Sequence, residues 1–154
     1  MKAITIKTIV LSLILLTGKL SAQKNYDVQS VGINVSYDKA FSFISQPKNL
    51  PLWTNAFSKA DDKTAMMSTP KGQLQIKLQT SVSNEKGTID WIMTMPDGSI
   101  GRAYSRIIKN IEGVIYEFVL LAPPVPLEQL EGALSAQKQL LAQELIKLKE
   151  VLEK

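Results

Sequence analysis

The amino-acid sequence predicts an α+β protein in which a curved antiparallel sheet wraps around a long C-terminal helix, with two short helices after the first strand. Two patterns predict this class. Segments in the middle of the chain alternate apolar and polar side chains, the period of a half-buried strand, whereas the last segment, Leu127–Leu152, carries leucines at helical spacing. Without its leader the chain has the length of one ordinary domain, so sheet and helix must share a single core.

The first strand and the two short helices are predicted in the first third of the domain. Tyr26–Val35 alternates for most of its length and predicts the strand. Ser36 is a suitable N-cap for a helix whose apolar residues continue until Pro47 ends it. Pro51 stands where a second, shorter helix begins, and that helix places Trp53 on its apolar side.

Six further strands follow as a meander. In the clearest of them, Leu74, Ile76 and Leu78 share one face and polar residues take the other. Asp97-Gly98 and the segment from Asn110 to Gly113 supply turns between the later strands. The predicted bounds are Phe57–Asp61, Thr64–Thr69, Gln73–Val82, Gly87–Met95, Arg102–Lys109 and Val114–Leu121.

The C-terminal segment predicts one long amphipathic helix. Pro126 suits its start, and lysines near its end suit the negative end of the helix dipole. A helix with this many leucines needs a surface to cover, and the apolar face of the sheet is the available one. The leucines on its stripe are Leu127, Leu130, Leu134, Leu141, Leu145, Leu148 and Leu152.

The first 22 residues have the layout of a secretory signal peptide. Lys2 and Lys7 precede an apolar stretch that is shorter than a membrane span, and small residues follow it. We expect cleavage between Ala22 and Gln23, leaving a mature domain over residues 23–154 that is exported to the periplasm or outside the cell. A leader retained as an interfacial anchor is the alternative. No stable membrane span is expected once the leader is removed.

The composition narrows the possible chemistry. The chain contains neither histidine nor cysteine, so catalytic triads that use them, disulfides and zinc sites with nitrogen and sulfur ligands are excluded. We assign no catalytic residue, no metal site and no cofactor. The formal charge of +4 falls to +1 without the three lysines of the leader, and the remaining charges are interspersed. A nucleic-acid partner is therefore not expected.

The order of these elements, together with the stretch Phe41–Trp53, resembles the SRPBCC superfamily, which includes START lipid-transfer domains, polyketide cyclases and the birch pollen allergen. Pro96-Asp97-Gly98, Ser105-Arg106, Asn110 and Gly113 are similar to residues of small bacterial members. The resemblance implies a helix-grip fold with a ligand cavity and implies no particular reaction.

One position departs from those small relatives. Where several of them have a histidine after an aspartate, this chain has Asp90 followed by Trp91. Asp90 lies on the strand face opposite Trp91, so we interpret it as a surface carboxylate rather than a catalytic one.

The candidate ligand site is the apolar face that the helix covers. Large rings and aliphatic side chains there either surround a ligand or fill the core. The methionines are interpreted as adaptable lining of a pocket rather than as copper ligands. The candidate residues are Trp53, Leu74, Ile76, Leu78, Trp91, Met93, Met95, Tyr104, Arg106, Tyr116, Phe118 and Leu141.

The sequence leaves open which face of the strand carrying Tyr104 and Arg106 points inward. A two-residue turn at Asp97-Gly98 would place both side chains inside, where Arg106 could bind a ligand carboxylate. A four-residue loop from Asn110 to Gly113 would instead pair Ser105 with Phe118 and turn both side chains outward. The high cost of burying an unpaired guanidinium favours this second register.

Three functions are consistent with the sequence. The first is binding or transport of a small hydrophobic molecule, lipid-like, aromatic or polyketide-like, in an internal cavity. The second is an enzyme similar to polyketide cyclases and dehydrases, with an Asp, Tyr or Arg moving protons. The third is a noncatalytic interaction module with a filled core. The lack of specialised catalytic residue types favours the first, while the ligand and the oligomeric state stay open.

Overall fold

A computed structural model of the chain describes residues 26–69, 71–121 and 127–154, and side chains from residue 135 onward in the last of these ranges. The predicted leader lies outside the described residues. The elements are β1 Tyr26–Ile33, α1 Tyr37–Ile44, a 3₁₀ turn Pro47–Asn49, α2 Leu50–Trp53, β2 Phe57–Ala60, β3 Thr64–Thr69, β4 Gly72–Ser83, β5 Thr88–Thr94, β6 Ile100–Asn110, β7 Gly113–Leu121 and α3 Leu127–Leu152.

The seven strands form one antiparallel sheet in the order β1-β7-β6-β5-β4-β3-β2. Strands β2 to β7 therefore follow one another as the predicted meander. The first strand, β1, pairs with β7 and forms one edge of the sheet, while β2 forms the other. The predicted α+β class, with a curled sheet and a long C-terminal helix, is confirmed.

Both short helices form where the sequence places them. The Ser36 side chain accepts a hydrogen bond from the Lys39 backbone N–H at 3.3 Å, so it is the N-cap of α1. Pro47 then begins a 3₁₀ turn, which was not predicted as a separate element. Pro51 lies in the first turn of α2, where its missing N–H costs nothing.

Strand β1 ends two residues earlier than predicted. The backbone N–H of Asn34 donates to the Glu153 carboxylate at 2.7 Å, and that of Val35 donates to the Ile33 carbonyl at 3.0 Å. These two backbone N–H groups do not pair with a neighbouring strand, because each is already hydrogen-bonded to the end of α3 or within a tight turn.

Helix α3 buries the described part of its leucine stripe. The side chains of Leu127, Leu130 and Leu134 lie outside those that the structure describes. The remaining four leucines are at most 6% exposed and belong to the same core cluster as the sheet residues, and they are Leu141, Leu145, Leu148 and Leu152.

Polar contacts hold α3 along β1. The Gln29 amide donates to the Lys138 carbonyl at 2.9 Å, and the Lys138 ammonium pairs with the Asp27 carboxylate at 3.2 Å. Further along the helix, the Lys149 ammonium donates to the Gly32 carbonyl at 3.0 Å. Contacts at both ends of β1 fix the direction in which the helix crosses the sheet.

Candidate ligand-binding site

The register of the later strands decides which side chains face α3. In the β5–β6 hairpin, Trp91 lies opposite Ala103, and the loop closes through the Met95 N–H and the Ser99 carbonyl. This loop is one residue longer than a two-residue turn, with Gly98 at a φ of +84°. In the β6–β7 hairpin Ser105 lies opposite Phe118, as the second of the two sequence-derived registers predicts.

Tyr104 and Arg106 do not line the interior, so their assignment to the candidate cavity is wrong. Strand side chains alternate between faces, and the buried residues of β6 are Ala103, Ser105 and Ile107. Tyr104 is 39% exposed on the opposite face. Arg106 is exposed on that face too. The extra loop residue shifts the register by one and thereby exchanges the two faces.

The other ten candidates face the core, in two groups that differ in burial. Six are almost fully buried, with at most 6% of their surface exposed, and they are Trp53, Ile76, Leu78, Trp91, Tyr116 and Leu141. Four pack against this core but are only partly buried, and they are Leu74, Met93, Met95 and Phe118.

Six of the partly buried apolar side chains lie toward one end of the inner face. Met67 and Leu74 are register partners on β3 and β4, and two further apolar residues of partial burial, Met93 and Leu120, lie on β5 and β7. This end contains the β5–β6 and β3–β4 turns. We call the following set the half-buried wall: Met67, Leu74, Met93, Met95, Phe118 and Leu120.

Three buried rings at the base of this wall carry hydrogen-bond donors without partners. The indole Nε1 atoms of Trp53 and Trp91 and the hydroxyl of Tyr116 are inaccessible to solvent and make no hydrogen bond of ordinary geometry with the described residues. The Trp53 and Tyr116 rings meet edge to face with centroids 6.5 Å apart. We call these three residues the donor cluster.

Tyr116 is the centre of the cluster. Its ring is fully buried, and burial raises the pKa of its hydroxyl well above the ordinary value, so the group stays protonated. Weak hydrogen bonding from the Ser105 and Trp91 side chains opposes part of this rise in pKa. The Ser105 hydroxyl itself donates to the Ile89 carbonyl at 2.5 Å.

Several inner-face residues were not singled out from the sequence. Ser105 and Ala103 became interior only through the register of β6, which the alternation of that strand alone does not decide. Leu120 alternates with its neighbours as the other lining residues do, so strand periodicity was the signal that could have found it.

The remaining candidate features lie elsewhere. Asp90 faces away from Trp91 along β5, as predicted. Among the described residues, no group of three or more acidic, histidine or cysteine side chains could hold a metal ion. No helix within the described ranges is long and apolar enough to cross a membrane.

Solved structures share this fold at low sequence identity. XoxI from Bacillus cereus matches with a TM-score of 0.63 at 12% identity, over 84% of this chain and 96% of that protein. A START superfamily protein from Mycobacterium smegmatis matches with a TM-score of 0.59 at 10% identity, over 84% and 98%. DynU16, a protein from the dynemicin biosynthetic locus, matches at 0.57 and 11% identity, over 85% of this chain and 48% of that one.

No protein-family model and no curated protein matches the sequence. The structural neighbours therefore show the fold alone, which is the helix-grip fold of SRPBCC and START-like proteins. The resemblance noted from the sequence is confirmed at that level.

Proposed function

We propose that this protein binds a small hydrophobic molecule between the concave face of the sheet and α3. The observation that carries the proposal is the half-buried wall. Fully buried residues predominate beside α1, α2 and the end of α3, whereas six apolar side chains toward the other end of the inner face keep accessible surface. Covering apolar surface with an apolar ligand is favourable by roughly 25 cal/mol for each Å² removed from water.

The composition of the wall suits an occupant of variable shape. Three of its six members are methionines, whose flexible thioethers adapt to irregular apolar partners. Phe118 adds a flat apolar surface, and its ring stands against that of Tyr116 with centroids 6.3 Å apart.

The outward position of Tyr104 and Arg106 favours a carrier or binding protein over a cyclase-like enzyme. Tyr104 and Arg106, the side chains considered for moving protons, are exposed on the outer face and do not reach a ligand held under α3.

Binding is tested with N-phenylnaphthylamine, an uncharged fluorescent probe, and by native mass spectrometry of the purified protein. We expect saturable fluorescence enhancement and a mass increase equal to one ligand. Met93→Trp fills the space at the wall and should abolish both signals. The matched control is Met66→Trp, because Met66 alternates with Met67 and lies on the other face of β3.

Two results would overturn the proposal. One is the absence of saturable binding by a folded wild-type protein. The other is equal loss of binding in Met66→Trp and Met93→Trp, which would place the probe away from the inner face. Circular dichroism of each variant establishes that it is folded.

We also propose that the protein is exported and that the mature chain begins at Gln23. The support is the signal-like composition of the first 22 residues. Expression of the full chain in a Gram-negative host, followed by cell fractionation and N-terminal sequencing, tests this. Recovery of an uncleaved chain in the cytoplasm would contradict it, and an uncleaved chain on the membrane would indicate a retained anchor.

A further inference from the structure

We infer that the bound molecule carries an uncharged oxygen acceptor, such as a ketone, aldehyde, ester or amide carbonyl, and that the donor cluster of Trp53, Trp91 and Tyr116 binds this oxygen. The inference rests on the proposed function and specifies the class of ligand that the site takes.

The cluster is complementary to an acceptor because its orphaned groups are donors. An indole N–H can only donate a hydrogen bond, and a protonated phenol donates through its O–H. All three side chains are at most 4% exposed, and their polar atoms make no hydrogen bond of ordinary geometry with the described residues. Buried donors are nearly always well paired in folded proteins, and Trp91 and Tyr116 are at most weakly paired with each other, so these donors indicate a place for a further acceptor.

The cluster also has the right position for a ligand that enters at the wall. Trp91 is followed on its face by Met93, and Tyr116 is followed by Phe118. Both of these neighbours belong to the half-buried wall. A molecule lying along the wall would therefore present its inner end to the donor cluster and its apolar body to the methionines.

The charges around the site argue for a neutral oxygen rather than a carboxylate. Among the buried residues of the described chain, Glu144 is the only charged one, and its carboxylate accepts a hydrogen bond from the Asn55 backbone N–H at 2.6 Å. Lys138, at the edge of the inner face, is paired with Asp27. A ligand carboxylate would be buried without a cation, which is costly, whereas a carbonyl needs only donors.

The test compares ligands that differ only at the acceptor. Fluorenone and benzophenone each carry a carbonyl where fluorene and diphenylmethane carry a methylene group, and diphenylacetate adds a carboxylate. Displacement of N-phenylnaphthylamine gives their affinities. We expect each ketone to bind about three- to tenfold more tightly than its hydrocarbon, the effect of one or two net hydrogen bonds, and diphenylacetate to bind more weakly than diphenylmethane.

Variants then locate the acceptor. Tyr116→Phe should reduce the affinity for fluorenone about threefold or more and leave that for fluorene unchanged. Tyr104→Phe makes the same chemical change on the outer face of the neighbouring strand and should alter neither. The carbonyl stretching band of bound fluorenone gives a second readout that needs no variant. It should lie at lower frequency than in alkane solvent, because hydrogen bonding weakens the carbonyl bond.

The outcomes separate the two claims. If the hydrocarbons and N-phenylnaphthylamine fail to bind, the proposed function itself is wrong. If hydrocarbons and ketones bind equally and the carbonyl band is that of fluorenone in alkane, the protein is a hydrophobic binder but the donor cluster does not bind an oxygen. Tighter binding of diphenylacetate than of either ketone would overturn the requirement for a neutral group.

Discussion

Replacing Tyr116 by phenylalanine should stabilise the ligand-free protein, although it removes a polar group that the proposed ligand needs. The hydroxyl is fully buried and has no hydrogen-bond partner of ordinary geometry among the described residues. Leaving such a group unsatisfied costs about 1–3 kcal/mol in unfolding free energy. Because weak hydrogen bonding to Ser105 and Trp91 would be lost with the hydroxyl, we expect a gain toward the lower end of this range, about 1 kcal/mol.

The assay is equilibrium unfolding in urea of protein from which bound lipid has been extracted. Extraction matters because a ligand that binds only the folded state adds its own stabilisation. For a domain of this size a gain of about 1 kcal/mol corresponds to a rise of roughly 3–5 °C in Tm. Tyr104→Phe, on the exposed face, should stay within about 0.5 kcal/mol of the wild type.

A loss of about 1 kcal/mol in Tyr116→Phe would refute the reasoning. It would mean that the hydroxyl is well hydrogen-bonded in the free protein, since deleting a satisfied group costs about that much. In that case the donor cluster would be a structural network rather than a site that waits for an acceptor.

Three further predictions concern the scaffold. Glu144→Leu should cost about 1–3 kcal/mol, because it leaves a backbone N–H without its acceptor, whereas Glu144→Gln keeps a carbonyl there and most of the stability in urea unfolding. Gly98→Ala should cost about 1 kcal/mol because of its positive φ. Gly87→Ala should cost clearly more, because its Cβ would also clash with the Ile107 carbonyl oxygen, and equal losses of Tm in the two variants would contradict this. The Asn34 N–H, and then Lys149, lower the pKa of Glu153. The stability that the Glu153 carboxylate contributes is therefore present above its unfolded pKa and is lost as the pH falls through its folded pKa. On lowering the pH from about 6 to about 3, the Tm of Glu153→Gln should therefore fall less than that of the wild type.

Much of the architecture could be predicted because each element carries its own local signal. Ser36 and Pro51 mark helix starts, and the β3 and α3 bounds match the periodic segments without change. These signals arise from hydrogen bonding and side-chain spacing within a few residues, so they can be recognised in a single sequence.

The orientation of β6 could not be predicted because it depends on a single residue in a loop. Asp97-Gly98 is typical of a two-residue turn, but the Asp97 carboxylate accepts hydrogen bonds from the backbone N–H and the hydroxyl of Ser99. The loop therefore takes one more residue, and the whole strand exchanges its faces. That one residue moved Tyr104 and Arg106 outward and brought Ser105 inward.

The donor cluster was also beyond prediction as a cluster. Trp53, Trp91 and Tyr116 were each expected at the candidate site, but they come from α2, β5 and β7. Nothing local relates the polar edge of one ring to that of another, because their proximity is set by tertiary packing. Their unpaired donors are a property of the folded arrangement.

The central claim is that a hydrophobic molecule occupies the inner face beside the half-buried wall, and methyl NMR tests it most directly. Protein labelled at the methionine methyl groups is titrated with fluorene. We predict that the signals of Met67, Met93 and Met95 shift with saturation, while that of Met66, on the other face of β3, does not. Unshifted Met93 and Met95 signals at saturating fluorene, or a shift confined to Met66, would contradict the account.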